Sequence, residues 1–91
     1  MKARAHVFIS GRVQGVFFRS EMRQEARKHH VNGWVRNVLD DKVEAVFEGE
    51  RKSVERLAEF CKRGPPAAKV TQLDVRWEPY SGNFNSFEIE Y

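Results

Sequence analysis

The sequence predicts an α+β fold, a ferredoxin-like split-βαβ sandwich with two helices on one face of an antiparallel sheet. Strand-like and helix-like segments follow one another in the order βαββαβ, with one further strand at the C-terminus. The chain has 91 residues, of which 41% are hydrophobic and 32% charged, and these proportions suit one globular domain with a modest core. We therefore expect a single domain over residues 1–91.

The first half of the chain shows the pattern of three strands and one helix. Every second residue from Ala3 to Ile9 is small or aliphatic, which is the period of a half-buried strand. Apolar residues recur at every fourth position within residues 18–29, which indicates a helix. Residues 31–38 and 43–47 are rich in β-branched and aromatic side chains and flank a short turn, so they predict a hairpin.

The second half adds one helix and two strands. Apolar residues between positions 54 and 61 follow the i, i+3, i+4, i+7 spacing of a helix, and Gly64-Pro65-Pro66 predicts its end. Residues 70–77 and 84–91 alternate in the manner of strands, with a proline, a serine and a glycine between them. These elements complete the βαββαβ order and add the terminal strand.

Charge and cysteine content indicate which ligands and which cellular compartment suit the chain. The formal net charge of +3 and the pI near 9.3 favour anionic ligands without naming one. Cys61 is the one cysteine, so no intramolecular disulfide can form, and its place on the apolar stripe of the second helix predicts a buried, inert thiol. The first residues contain no apolar run long enough for a signal peptide or a membrane span. We expect a cytoplasmic protein.

The segment from Gly11 to Arg19 lies between the first strand and the first helix. Unpaired N–H groups at a helix N-terminus, reached through a glycine-containing loop, can bind an anion, and a guanidinium can match two phosphate oxygens. The segment has neither the Gly-Lys-Ser/Thr of a P-loop nor the glycine spacing of a dinucleotide-binding loop. Taken alone, these residues fit a tight connection with a solvated Arg19 as well as they fit a phosphate site.

Asn37 ends a second segment, Gly33-Trp34-Val35-Arg36-Asn37, near the end of the second strand. In a split-βαβ unit the first two strands run in the same direction, so their ends emerge at one edge of the sheet. Arg19 and Asn37 are therefore expected near each other. A turn residue at a strand end is the alternative explanation of Asn37.

Together the two segments resemble the signature of the acylphosphatase family, Gly-x-Val-Gln-Gly-Val-x-Phe-Arg followed by Gly-x-Val-x-Asn, and both halves match in full. The resemblance implies metal-independent hydrolysis of the carboxyl-phosphate bond of small acyl phosphates, which gives a carboxylate and inorganic phosphate. It assigns phosphate binding to Arg19 and orientation of the attacking water to Asn37. The remaining phosphate-binding loop would supply backbone donors, from Gln14, Gly15, Val16, Phe17 and Phe18.

The resemblance also sets expectations for partners and cofactors. A small acyl phosphate is the expected substrate, with inorganic phosphate as product and inhibitor, and no cofactor is implied. We expect a monomer that binds neither nucleic acid nor membrane. A metal site is not expected, because His29 and His30 point about 100° apart on a helix and no carboxylate or cysteine spacing completes a ligand set. From their residue types alone, Trp34, Trp77, Phe84 and Tyr91 are expected to pack in the core or at the sheet edge, with closure of Tyr91 over the site as the alternative if the last strand pairs nearby.

Two other functions fit the same fold class. A ferredoxin-like sheet can bind RNA on its open face, but here Glu44 and Glu48 flank Val46 on one face of the third strand, and the RNP pattern is absent. The chain could instead keep the phosphate loop as a binding module, or take part in carbamoyl phosphate handling within a larger assembly. The presence of both Arg19 and Asn37 favours an enzyme over a binding module.

Overall fold

The computed structural model describes all 91 residues, Met1–Tyr91. Five strands and two helices follow in the order β1 (Lys2–Arg12), α1 (Phe18–Lys28), β2 (Asn32–Val38), β3 (Lys42–Glu50), α2 (Arg51–Arg63), β4 (Lys69–Glu78) and β5 (Phe87–Ile89). The predicted βαββαβ order with a terminal strand is confirmed. The last strand is shorter than the predicted segment 84–91, because only three of its residues pair with the sheet.

The five strands form one mixed sheet in the order β4-β1-β3-β2-β5. The first four strands pair antiparallel, as predicted, whereas β5 pairs parallel with β2. The chain reverses direction after β4 while it crosses from one edge of the sheet to the other. The terminal strand therefore enters the opposite edge in the same direction as β2.

Both helices contribute to a core on one face of the sheet. The alternate residues of β1 point into this core, and Ala5, Val7 and Ile9 are fully buried, which confirms the predicted alternation. The helices add apolar side chains at helical spacing, namely Phe18, Met22 and Ala26 from α1 and Val54, Leu57, Phe60 and Cys61 from α2. Burial raises the pKa of the Cys61 thiol, which keeps it protonated and unreactive. Neither helix has the length and apolar character needed to cross a bilayer.

The opposite face of the sheet is held by ion pairs, with Glu48 at their centre. This carboxylate is 3% exposed and accepts hydrogen bonds from Arg4 Nη1 at 3.1 Å, the Ser81 N–H and Oγ at 2.8 Å each, and the Gly82 N–H at 3.0 Å. Burial alone would raise the pKa of Glu48, but these four donors outweigh it and hold the pKa below its ordinary value. Glu48 thus ties the crossing segment between β4 and β5 to the sheet.

Replacing Glu48 with glutamine should destabilise the fold. The uncharged amide leaves the Arg4 guanidinium without its buried partner and turns an N–H₂ group toward other donors, so we expect the free energy of unfolding to fall by about 2–4 kcal/mol. Urea denaturation at pH 7 measures this loss. Glu50→Gln is the matched control, because the Glu50 side chain is 58% exposed in its pairs with the N-terminus and Lys2, and little change is expected.

The same contribution should depend on pH in the parent protein. Because the folded pKa of Glu48 lies below its unfolded value of about 4.5, its stabilisation is complete above that value and disappears as the pH falls through the folded pKa. The difference in stability between parent and Glu48→Gln should therefore shrink on acidification below about pH 4.5. A difference that stays constant down to pH 3 would show that the carboxylate charge contributes nothing.

Candidate active site

The connection between β1 and α1 leaves the sheet through a sharp change of backbone direction. The pairing of β1 with β4 shifts register between Ser10 and Gly11, and the strand then ends at Arg12. Gly15 then has φ of +71°, and a Cβ built there would meet nothing within 4 Å. The left-handed conformation, and not a lack of space, therefore favours glycine at this position.

The helix that follows starts without a side-chain cap. Phe17, the N-cap residue, has φ of +67°, and its side chain makes no capping hydrogen bond to the first turn. The first N–H groups of an α-helix have no intrahelical acceptor, and the positive end of the helix dipole lies beside them. The Ser20 hydroxyl donates to the Phe17 carbonyl at 3.2 Å, and none of these N–H groups bonds to it. The backbone at the start of α1 is thus suited to an anion.

A cavity of about 280 Å³ opens at this helix start. It is lined by the loop and by the C-terminal segment of the chain, through Val13, Gly15, Phe17, Phe18, Arg19, Ser20, Ile89 and Tyr91. The Arg19 guanidinium lies 5.3 Å from the centre of the Tyr91 ring, within the range of a cation–π contact. The pairing of β5 with β2 brings Tyr91 beside Arg19, but its side chain is fully exposed, so it does not pack in the core, and its closure over the site stays a prediction.

Asn37 is positioned by β2, whose packing against β3 depends on Gly33. A Cβ at Gly33 would lie 1.9 Å from the Val46 carbonyl oxygen, and the φ of +148° also favours glycine. Asn37 faces Val43 in the β2–β3 register, and its Oδ1 is buried without any hydrogen-bond partner in the protein. A second depression surrounds it, lined also by Phe8, Gln14, Val38, Leu39, Asp40 and Lys42.

Gln14 joins the two parts of the site. Its Nε2 donates to the carbonyl oxygens of Val38 and Lys42, both at 2.9 Å, and so fastens the loop to the β2–β3 hairpin. The next residue, Gly15, lines the Arg19 cavity, whereas Gln14 lines the depression of Asn37. Arg19 and Asn37 therefore line two separate depressions, to which the neighbouring residues Gly15 and Gln14 respectively contribute.

The sequence motifs identified Arg19 and Asn37 but did not predict the backbone conformation and hydrogen bonds that position them. Sequence gave no signal for the positive φ of Phe17, since bulky residues rarely adopt it. The anchoring bonds of Gln14 also depend on a hairpin distant in the chain. No carboxylate or histidine lines the Arg19 cavity, and Asp40 is the carboxylate beside Asn37. No three His, Cys, Asp or Glu side chains of residues 1–91 are grouped so that they could hold a metal ion.

Comparison with known proteins agrees with this geometry. The family model described as acylphosphatase matches residues 5–89. The chain belongs to the acylphosphatase family. Among curated acylphosphatases, that of Pelotomaculum thermopropionicum is 52% identical over 90 residues, covering 99% of this chain and 98% of that protein.

Solved structures place this acylphosphatase-family chain in the same fold. The acylphosphatase from Bacillus subtilis superposes with a TM-score of 0.93 at 35% identity, and the match covers all of both chains. A part of full-length HypF, described in its phosphate- and nucleotide-bound form, superposes with a TM-score of 0.86 at 26% identity. That match covers all of this chain but 12% of the HypF chain. The predicted ferredoxin-like fold and the family resemblance are both confirmed.

Replacing Gln14 with alanine should loosen the loop. The loss of two hydrogen bonds should lower the free energy of unfolding by about 1–2 kcal/mol, and the less ordered loop should raise the inhibition constant of inorganic phosphate by roughly 3- to 10-fold. Denaturation and phosphate inhibition measure the two effects. Gln24→Ala, on the exposed face of α1, is the control and should change neither. Lost stability with unchanged phosphate inhibition would show that Gln14 supports only the fold.

Proposed function

We propose that the chain is a metal-independent acylphosphatase, which hydrolyses the carboxyl-phosphate bond of small acyl phosphates to a carboxylate and inorganic phosphate. Membership of the acylphosphatase family supports the reaction. The observation that carries the mechanism is the buried Asn37 Oδ1, a hydrogen-bond acceptor that no protein group satisfies, beside the loop that holds Arg19. A buried acceptor of this kind is costly unless it has a task, such as holding a water molecule.

Arg19 and the start of α1 form the phosphoryl-binding half of the mechanism. The guanidinium donates to two phosphoryl oxygens, and the uncapped N–H groups of Phe18 and its neighbours donate to the others. The positive side chain in the first turn and the positive end of the helix dipole repel each other. A bound anion attracts both of them and so offsets this repulsion. These donors also stabilise the negative charge that spreads over the phosphoryl oxygens during transfer.

Asn37 forms the water-binding half. In this mechanism a water molecule donates to Asn37 Oδ1 and is held beside the phosphorus. Holding the two reactants in line removes much of the entropic barrier to attack. Asn37 is thus a positioning residue that need not exchange a proton.

The bond changes require no acid from the protein. The water oxygen forms a bond to phosphorus while the bond from phosphorus to the acyl oxygen breaks, and the electron pair leaves with the carboxylate. A carboxylic acid has a pKa of roughly 4, so the carboxylate departs unprotonated at neutral pH. The proton of the water passes to a phosphoryl oxygen, and the products are a carboxylate and inorganic phosphate.

Substitutions at the two positions should have different kinetic effects. Arg19→Gln should abolish both turnover and inhibition by phosphate, because it removes the phosphoryl contact. Asn37→Ala should lower kcat by roughly 100-fold or more while phosphate inhibition changes less than about 3-fold, since only the water loses its partner. Steady-state hydrolysis of benzoyl phosphate in the presence of chelator measures both.

The controls for this experiment separate the proposal from its alternatives. Arg23→Gln, one turn further along α1, should leave kcat and phosphate inhibition unchanged. Equal losses of kcat and phosphate binding in Asn37→Ala would contradict the water-positioning role. A parent protein that binds phosphate through Arg19 but hydrolyses no acyl phosphate would be a phosphate-binding module.

A mechanism in which phosphate accepts the proton also predicts a flat pH dependence. We expect kcat to vary less than about 2-fold between pH 5 and 7, with no limb near the histidine value of about 6.5. Asp40 is the one carboxylate beside Asn37, and Asp40→Asn tests it as an alternative base. Asparagine tolerates the positive φ of 65° at this position, so the turn is preserved. A loss of more than about 100-fold in this variant would assign the proton to Asp40.

We place this enzyme in the cytoplasm and propose that it acts as a monomer on free small molecules. Its free thiol, Cys61, is buried in the core and suits a reducing compartment. The net charge of +3 favours the anionic substrate.

A further inference from the structure

The ring of Phe18 occupies the space where a side chain at residue 64 would lie. Phe18 is the first residue of α1 and is 1% exposed, and Gly64 is the buried C-cap residue of α2. A Cβ at Gly64 would lie 2.5 Å from Phe18 Cε2 and 3.1 Å from Phe18 Cδ2. Carbon atoms in ordinary contact are about 3.5–4.0 Å apart. The start of α1 can therefore occupy its position only because residue 64 has no side chain.

The end of α2 is the more rigid partner in this contact. The Gly64 N–H donates to the Phe60 carbonyl at 2.7 Å, and the next residue, Pro65, is buried and has its φ fixed by its ring. The Ala68 N–H donates to the Pro65 carbonyl at 2.9 Å, which holds the connection to β4 in a turn. The start of α1 has no side-chain cap. A group inserted between the two helices would therefore displace Phe18 rather than the end of α2.

The segment that joins α2 to β4 also contacts the other end of the β1–α1 loop. Gly11, near the end of β1, approaches the first residue of β4 so closely that a Cβ there would overlap the Lys69 carbonyl oxygen. The loop is thus held near its start by Lys69 and at its end by Gly64. One short segment therefore fixes both ends of the loop that leads to Arg19.

We propose that the contact between Phe18 and Gly64 positions Arg19, so that Gly64 is a positioning residue for phosphate binding. The proposal rests on the proposed function, in which Arg19 and the first N–H groups of α1 bind the phosphoryl group. Arg19 follows Phe18 in the same helical turn, so a shift of Phe18 by about 1 Å moves the guanidinium and these donors together. A misplacement of about 1 Å in a site can cost roughly 100-fold in rate. Gly64 acts through Phe18, since it does not line the Arg19 cavity itself.

The test is a double-mutant cycle on the dissociation constant of inorganic phosphate, measured by isothermal titration calorimetry. In the parent, Gly64→Ala should raise this constant about 10-fold, because the new methyl group displaces the Phe18 ring. In the Phe18→Leu background, where no atom occupies the Cε2 position, Gly64→Ala should raise it less than about 2-fold. The strain of alanine at the positive φ of residue 64 is common to both backgrounds and cancels in the comparison. An equal increase in both backgrounds, or none in the parent, would overturn the proposal.

A matched pair of leucine variants separates positioning from stability. Phe47→Leu makes the same change as Phe18→Leu at a fully buried ring of β3. Phe47 pairs with Ala5, early in β1, so it lies roughly 20 Å along the sheet from the loop. Phe18→Leu should raise the phosphate dissociation constant about 3-fold, whereas Phe47→Leu should lower the stability and leave this constant unchanged. If Gly64→Ala does not fold, this comparison decides, because equal phosphate binding in the two leucine variants would contradict the proposal.

Phosphate binding and hydrolysis are measured separately, so the two proposals can fail separately. A parent that binds phosphate but hydrolyses no benzoyl phosphate would refute the proposed reaction, while the cycle would still decide the role of Gly64. A parent that hydrolyses benzoyl phosphate but shows additive effects in the cycle would keep the reaction and refute the positioning role. A parent that binds no phosphate would refute the role of Arg19 and this proposal with it.

Discussion

The pairing of β3 with both β1 and β2 is the constraint on which the rest of the structure depends. Each of these strands runs antiparallel to β3, so β1 and β2 run parallel to each other, and their C-terminal ends meet at one edge of the sheet. Six consecutive residues of β3, from Val43 to Glu48, are buried. A one-residue slip in this register would turn the apolar residues of a strand to the wrong face, so the register is strongly specified. The loop after β1 and Asn37 near the end of β2 are brought together by this pairing.

The start of α1 costs free energy because it is strained and has no side-chain cap, and packing in the core compensates for this cost. A left-handed bulky residue costs about 1–3 kcal/mol, and the lack of a side-chain cap costs about 1 kcal/mol more. Phe18, the next residue, is 1% exposed and packs edge-on against Phe60 of α2 with ring centres 5.9 Å apart. Burial of such a ring stabilises the fold by about 1.5–3 kcal/mol, which offsets most of this strain. The adjacent phenylalanines thus differ in role, since Phe18 holds the helix start and Phe17 is left to face solvent.

Sequence predicted the parts of this molecule that depend on local pattern. The alternation in β1 and the helical spacing of Met22 and Ala26 follow directly from which residues must face the core. The spaced motifs also identified Arg19 and Asn37 as candidate site residues. The remaining features depend on distant contacts. The parallel pairing of β5 follows from how the chain crosses the sheet, and Glu48, which no motif singled out, fixes that crossing segment through Ser81.

Ion pairs between distant residues were also not predicted from sequence, because the composition gives only the net charge and not which charged residues meet. The acidic residues of the open sheet face are engaged there: Glu44 bonds to His6 Nε2 at 2.6 Å and to Arg36 at 2.8 Å, and Glu78 to His6 Nδ1 at 3.0 Å. Because both ring nitrogens of His6 face carboxylates, both can donate only when the ring carries two protons. Burial alone would raise the pKa of Glu44, but the donors His6 and Arg36 hold it below its ordinary value.

These ion pairs also affect the end of the sheet at which the loop between β1 and α1 lies. Carboxylates that are neutralised on the open face contribute little to the field around the molecule, because opposite charges a few ångströms apart cancel at a distance. No carboxylate side chain lines the Arg19 cavity, so the guanidinium and the start of α1 are available to an anion. For a phosphorylated ligand at this site, the groups that line the cavity therefore matter more than the net charge of +3.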